Sequence, residues 1–280
     1  MDMPHVLSAG RCGFLKKFHR FFTLLLCAAL LLCGSACRSD EGAAYSILET
    51  VGEKHYGSVF RLGDKAAGQV DAAMRELAAN GELSRICQQW LGRDLISLKG
   101  ESGAVAALEE APRARVLIVG VENDFDRLSS PDESGVYAGM SVDLANAIGQ
   151  QLGWEIRIQP INAGDMATQL SSGNIDCALG FGIECINRQK FTTGLCYMKS
   201  DIVVAVPGDS DIRRPKQLKG LKIGAVKDAS ILAALENDSD AGKYAESVTP
   251  YLSPLRCLNA LDNGWCAAIA MDQVMLGQYS

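Results

Sequence analysis

From residue 115 onward, short apolar runs alternate with amphipathic stretches, and few folds accept that pattern. Residues 116–121 form an unbroken apolar run suited to a strand buried on both faces. Residues 142–152 place Leu144, Ala147, Ile148 and Leu152 on one helical face, and Gly153 supplies the stop. Further strands are expected at 156–158, 175–179, 202–206, 222–226 and 265–270, with helices near 230–235 and 254–261. Alternation of this kind predicts an α/β fold with mainly parallel sheets.

Ahead of that region lies a block of different character. Residues 56–64 read YGSVFRLGD and suit a strand, while Val70, Ala73, Met74 and Leu77 recur at helical spacing before Gly81. Residues 81–92 read GELSRICQQWLG, and residues 93–114, with Gly100, Glu101, Ser102 and Gly103, read as a connector.

The first 37 residues have the layout of an export signal. Arg11, Lys16, Lys17 and Arg20 precede an apolar run at 21–32, and Gly34, Ser35 and Ala36 lead to Cys37. That run is shorter than the roughly 20 residues a spanning helix needs. The leader carries four Lys/Arg and one Asp, so the formal charge of −6 for the whole chain becomes about −9 beyond it. Such an acidic balance disfavours nucleic acid as a partner. Six cysteines follow Cys37 and none forms a CxxC pair, while His55 is the only histidine after the leader, so neither a metal site nor a cofactor is expected. An exported location permits disulfides, but buried free thiols are the expectation.

The front block resembles the last stretch of extracytoplasmic solute-binding proteins of the amino-acid ABC transporter type. The block from 116 to 144 resembles that family's first strand and first helix. The two pieces cover nearly everything from Tyr45 to Ser280, in swapped order. The resemblance implies a two-lobed type 2 periplasmic-binding-protein clamshell with a hinge, circularly permuted. Lobe 1 would span 60–198, and lobe 2 would combine 41–59 with 199–280. The connector at 93–114 would join the old termini, which is feasible where termini lie close together. A front block swapped into a neighbouring molecule is the rival arrangement. Ala36-Cys37 also fits the family's lipidated form, which would anchor the protein to a membrane through Cys37, although Gly34-x-Ala36 suits ordinary signal cleavage.

Two motifs carry the site that the resemblance implies. Residues 176–188 read DCALGFGIECINR, similar to the family's "D-A … T-x-x-R", in which the arginine, here Arg188, forks onto a ligand carboxylate. Residues 264–272 read GWCAAIAMD, similar to "G-x-x-D-A-x-x-x-D", whose last aspartate, here Asp272, receives the ligand's amino group. Phe125 falls where the family places an aromatic lid. The chain departs from the family at several positions: Cys185 replaces a threonine, Gly180 and Phe181 replace small hydroxylated residues, and Asp228-Ala229-Ser230 stands for a "G-T/S-T" loop in which only Ser230 keeps a hydroxyl. The implied function is capture of an amino acid or related small zwitterion and its delivery to an ABC permease in the inner membrane, by a monomer that is not an enzyme. A sensing module for a separate signalling partner and a dehydratase-like enzyme are the alternatives.

Overall fold

The strand expected at 56–64 is the end of a much longer one. The computed structural model describes residues 44–123 and 125–277, and the segment 1–37 expected to be an export signal, with Cys37, lies outside the described residues. Strand β1 (Tyr45–Arg61) runs for 17 residues, about three times an ordinary strand. Helices α1 (Ala66–Ala79) and α2 (Glu82–Leu91) follow it.

The remaining strands are β2 (Val116–Glu122), β3 (Ser130–Pro131), β4 (Tyr137–Ala138), β5 (Glu155–Ile161), β6 (Cys177–Gly182) and β7 (Phe191–Thr193). After them come β8 (Met198–Pro207), β9 (Lys222–Val226), β10 (Ser247–Tyr251) and β11 (Ala268–Asp272). Between them lie helices α3 (Met140–Leu152), α4 (Met166–Ser172), α5 (Ala229–Asn237), α6 (Asp240–Tyr244), α7 (Pro254–Asp262) and α8 (Gln273–Leu276). The β3–β4 pair stands apart as a small ribbon, and all other strands join one sheet ordered β10-β9-β11-β8-β1-β6-β2-β5, with β7 paired to β1.

The sheet is parallel in its wings and antiparallel at its centre. In one wing β2 lies parallel to β5 and β6, and in the other β9 lies parallel to β10 and β11. At the centre β1 is antiparallel to β8, β6 and β7, and β8 is antiparallel to β11. The expectation of mainly parallel sheets therefore holds only for the wings. Parallel neighbours need a crossover connection, whereas β1 enters from the front of the chain without one. Along β1 the partner changes at Tyr56: residues 45–56 pair with β8, and 56–60 pair with β6. The result is a mixed α/β fold around one sheet.

Some boundaries also move. The strand expected at 265–270 lies at 268–272, because the Trp265 N–H still bonds the Ala260 carbonyl at the end of α7, 2.9 Å away. The front block is built into the rest of the molecule. Trp90 Nε1 in α2 donates to Asp143 in α3 at 2.8 Å. The connector lies against α1, where the Glu101 N–H reaches the Arg75 carbonyl at 3.0 Å. A side chain at Gly100 would fall 2.3 Å from the Ala79 backbone nitrogen. The six cysteines after Cys37 are free thiols, four of them buried.

A charged cleft at the centre of the sheet

Where β1 changes partner, the two wings face each other across a cleft of about 270 Å³. One wing contributes Glu122 at the end of β2, Phe181 and Gly182 of β6, and Glu184, Cys185 and Ile186 of the following turn. The other contributes Lys227, Asp228, Ala229 and Ser230, where β9 enters α5. Lys54 of β1 belongs to the cleft as well.

Lys54 is 2% exposed, and its Nζ donates to Asp228 Oδ2 at 2.8 Å. Its Nζ lies over the Tyr56 ring, 5.3 Å from the ring centre. Burial lowers its pKa, but the charges of Asp228, Asp272 and Glu122 outweigh burial and raise it. Asp228 caps α5, with Oδ1 accepting from the Ser230 and Ile231 N–H groups at 2.9 and 3.3 Å and from the Ser230 hydroxyl. Burial pushes the Asp228 carboxyl up, yet the Lys54 charge and these donors hold it at about 2. The carboxylate is thus ionised, paired and turned onto Lys54.

Asp272 sits directly behind this pair, fully buried. Tyr56 Oη donates to its Oδ2 at 2.7 Å, and Ser200 Oγ and the Val274 N–H donate to its Oδ1 at 2.5 and 2.6 Å. It therefore caps α8 and ties β11 to β1 and β8. Glu122 differs from both aspartates, because no donor among the described residues reaches its carboxyl group. Burial, opposed by Lys54 and reinforced by Asp228 and Asp272, pushes Glu122 up to about 7. Glu184 accepts from the His55 N–H.

Of the residues marked from sequence, Phe181, Cys185, Ala229 and Ser230 line this cleft. Gly180 lies in β6 with a positive φ of 87°, and a side chain there would strike Ser141 Oγ at 2.3 Å. Arg188 is exposed on the turn after β6 and does not line the cleft. Phe125 is 4% exposed within the apolar core and does not line it either. Asp176, which opens the arginine motif, accepts from the Ile118 N–H at 2.9 Å and pairs with Arg61 and Arg115 at 3.2 and 3.5 Å. It joins β6 to β2 and β1. Lys54 was not anticipated, and its one sequence signal is that it shares strand parity with the buried Tyr56.

Among curated proteins, none matches the chain. Among solved structures, a substrate-binding protein of an ABC uptake transporter from Streptococcus pneumoniae, with bound histidine, is 24% identical at a TM-score of 0.51. The likeness covers 59% of this chain and 68% of that one. A cysteine-binding protein from Campylobacter jejuni is 22% identical over 57% of this chain and 65% of that one, at a TM-score of 0.49. An arginine-bound truncated ArgBP from T. maritima is 23% identical over 59% and 76%, also at 0.49. The model of one family matches residues 117–265, from β2 through α7 and so across both wings that frame the cleft. Because that match takes in more than half of its length, the chain belongs to the bacterial extracellular solute-binding proteins, family 3.

Proposed function

We propose that this protein is an extracytoplasmic receptor that closes its cleft on a small, carboxylate-bearing solute of amino-acid size and passes it to an ABC importer. The observation that carries this reading is the cleft itself, which is lined from both wings of one sheet and floored by the strand that crosses between them. Its volume of about 270 Å³ falls just below the range of drug-sized ligand sites, about 300 to 1,000 Å³, and suits a smaller solute. Two lobes, 60–198 and 41–59 with 199–280, would close about β1 and β8 as the solute binds. The leader would export the chain, and Cys37 would tether it to the membrane.

The reading includes a permuted chain order. Its support is that the family match starts at β2, while β1 from the front block occupies the middle of the sheet. The protein would act as a monomer and release its solute unchanged. Thermal unfolding against a panel of L-amino acids and small carboxylic acids tests capture. A ligand at about 100 times its dissociation constant adds roughly 2.7 kcal/mol, a readable rise. Uptake of that ligand by cells, lost on deletion of this chain and restored by its return, tests delivery. A cooperatively folding protein whose midpoint moves with no compound would sink the capture reading.

A further inference from the structure

Two thiols of one wing share a single space. Cys257 in α7 and Cys266 in the turn before β11 are 0% and 6% exposed. A side chain built at Gly224, in the middle of β9, would fall 3.0 Å from the Cys266 sulfur and 3.4 Å from the Cys257 sulfur. It would also fall 3.1 Å from Cε2 of the Tyr251 ring. The glycine therefore keeps open one space in which both sulfurs lie. We propose that Cys257 and Cys266 are a cross-linking site, joined by a disulfide in the exported protein.

Family membership places the chain outside the cytoplasm, where disulfides form and persist. The backbone between the two cysteines is already held. The Trp265 N–H bonds the Ala260 carbonyl and the Gly264 N–H the Leu261 carbonyl, each at 2.9 Å. Other thiols have other surroundings. Cys87 exchanges hydrogen bonds with the Arg93 carbonyl and the Leu95 N–H, Cys196 reaches Ser97 and the Met198 carbonyl, and Cys185 opens on the cleft.

Burial pushes both thiols up, Cys257 to about 12 with Cys266 adding to the rise. The thiolate is the reactive form, so the bridge closes while the wing is still assembling. The oxidant is an accessible protein disulfide of the cell envelope. One cysteine thiolate attacks that disulfide and displaces one of its sulfurs, leaving a mixed disulfide. The second thiolate then attacks the chain's own sulfur, and the other partner sulfur leaves as a thiolate. The partner gains two electrons, and the two thiol protons go to water. The finished bridge fastens α7 to the turn that enters β11, against β9, whose end leads into Lys227, Asp228 and Ser230 at the cleft.

Peptide mapping tests this without any variant. Residues 257–280 contain no Lys or Arg, so trypsin releases both cysteines in one peptide behind Arg256. The full chain, produced with residues 1–37 in place, is recovered from the cell envelope or, where recovery is too low, refolded from denaturant in a glutathione redox buffer. It is blocked with N-ethylmaleimide in denaturant and digested without reductant. The expected peptide is two hydrogens lighter than its sequence and carries no maleimide, whereas reduction before blocking adds two maleimides. Maleimide on either cysteine without reduction would overturn the proposal. Chain reduced and refolded under reductant is expected to melt about 5 °C below the bridged form, and equal midpoints would overturn the fastening of α7.

Discussion

Glu122 and Asp228 face the same lysine, yet their carboxyl groups are pushed in opposite directions. Asp228 has the ion pair and the helix N–H groups, whereas Glu122 has burial and two neighbouring negative charges. The consequence for stability follows from linkage. A carboxyl whose folded pKa rises from 4.5 to about 7 costs nothing below pH 4.5, and its penalty builds between pH 4.5 and 7 and is complete above that. Lys54, Asp228 and Asp272 are the charges that face it. Glu122→Gln should therefore be more stable than the parent at pH 8, on the order of 2 kcal/mol, with the difference vanishing near pH 4. Urea unfolding at the two pH values checks this, and a difference that does not change with pH would contradict the assigned environment. None of this was legible in the sequence. Glu53-Lys54-His55 reads as a solvated run, because the acid that makes Lys54 burial tolerable lies 174 positions away.

Elements were more legible than their partners. The helix beginning near 142, the strand at 222–226 and the helix at 254–261 lie within a residue or two of their expected places, since apolar spacing and Gly or Pro punctuation act locally. The length of β1 was missed for the opposite reason. Residues 45–55 mix Glu, Lys, His and Gly, and they form a strand because β8 pairs with them along their whole length. The sequence motifs also placed Cys185, Ala229 and Ser230 at the cleft, whereas the seating of Asp272 behind Tyr56 depends on contacts between distant strands. Entry into α3 offers a sharp test at this scale. Gly139 has a φ of 138°, and a side chain there would lie 2.4 Å from the Leu128 carbonyl oxygen. Gly139→Ala should lose about 2–4 kcal/mol. Gly103→Ala, at φ 78° with open space around it, should lose about 1 kcal/mol. Equal losses in chemical denaturation would refute the steric account.

At the scale of the molecule, the front block behaves as an integral piece whose covalent link runs through an exposed connector. Arg113 is exposed, whereas Arg115 stacks on Trp154 and pairs with Asp176. Limited trypsin cleavage should therefore fall first in the connector, after exposed Arg93, Lys99 or Arg113. The two fragments should still elute together at the mass of one chain, held by the β1 pairings. Separation on a sizing column under native conditions would argue against the front block completing its own chain. That same strand also decides how the molecule would bear mechanical load. Tension applied at residue 44 passes directly into β1, whose register with β8 extends from Tyr45 to Tyr56. Because the pull runs along the strand, those hydrogen bonds are loaded together in shear rather than peeled one at a time, and the sheet would resist a tug on its leading end at the very strand that floors its cleft.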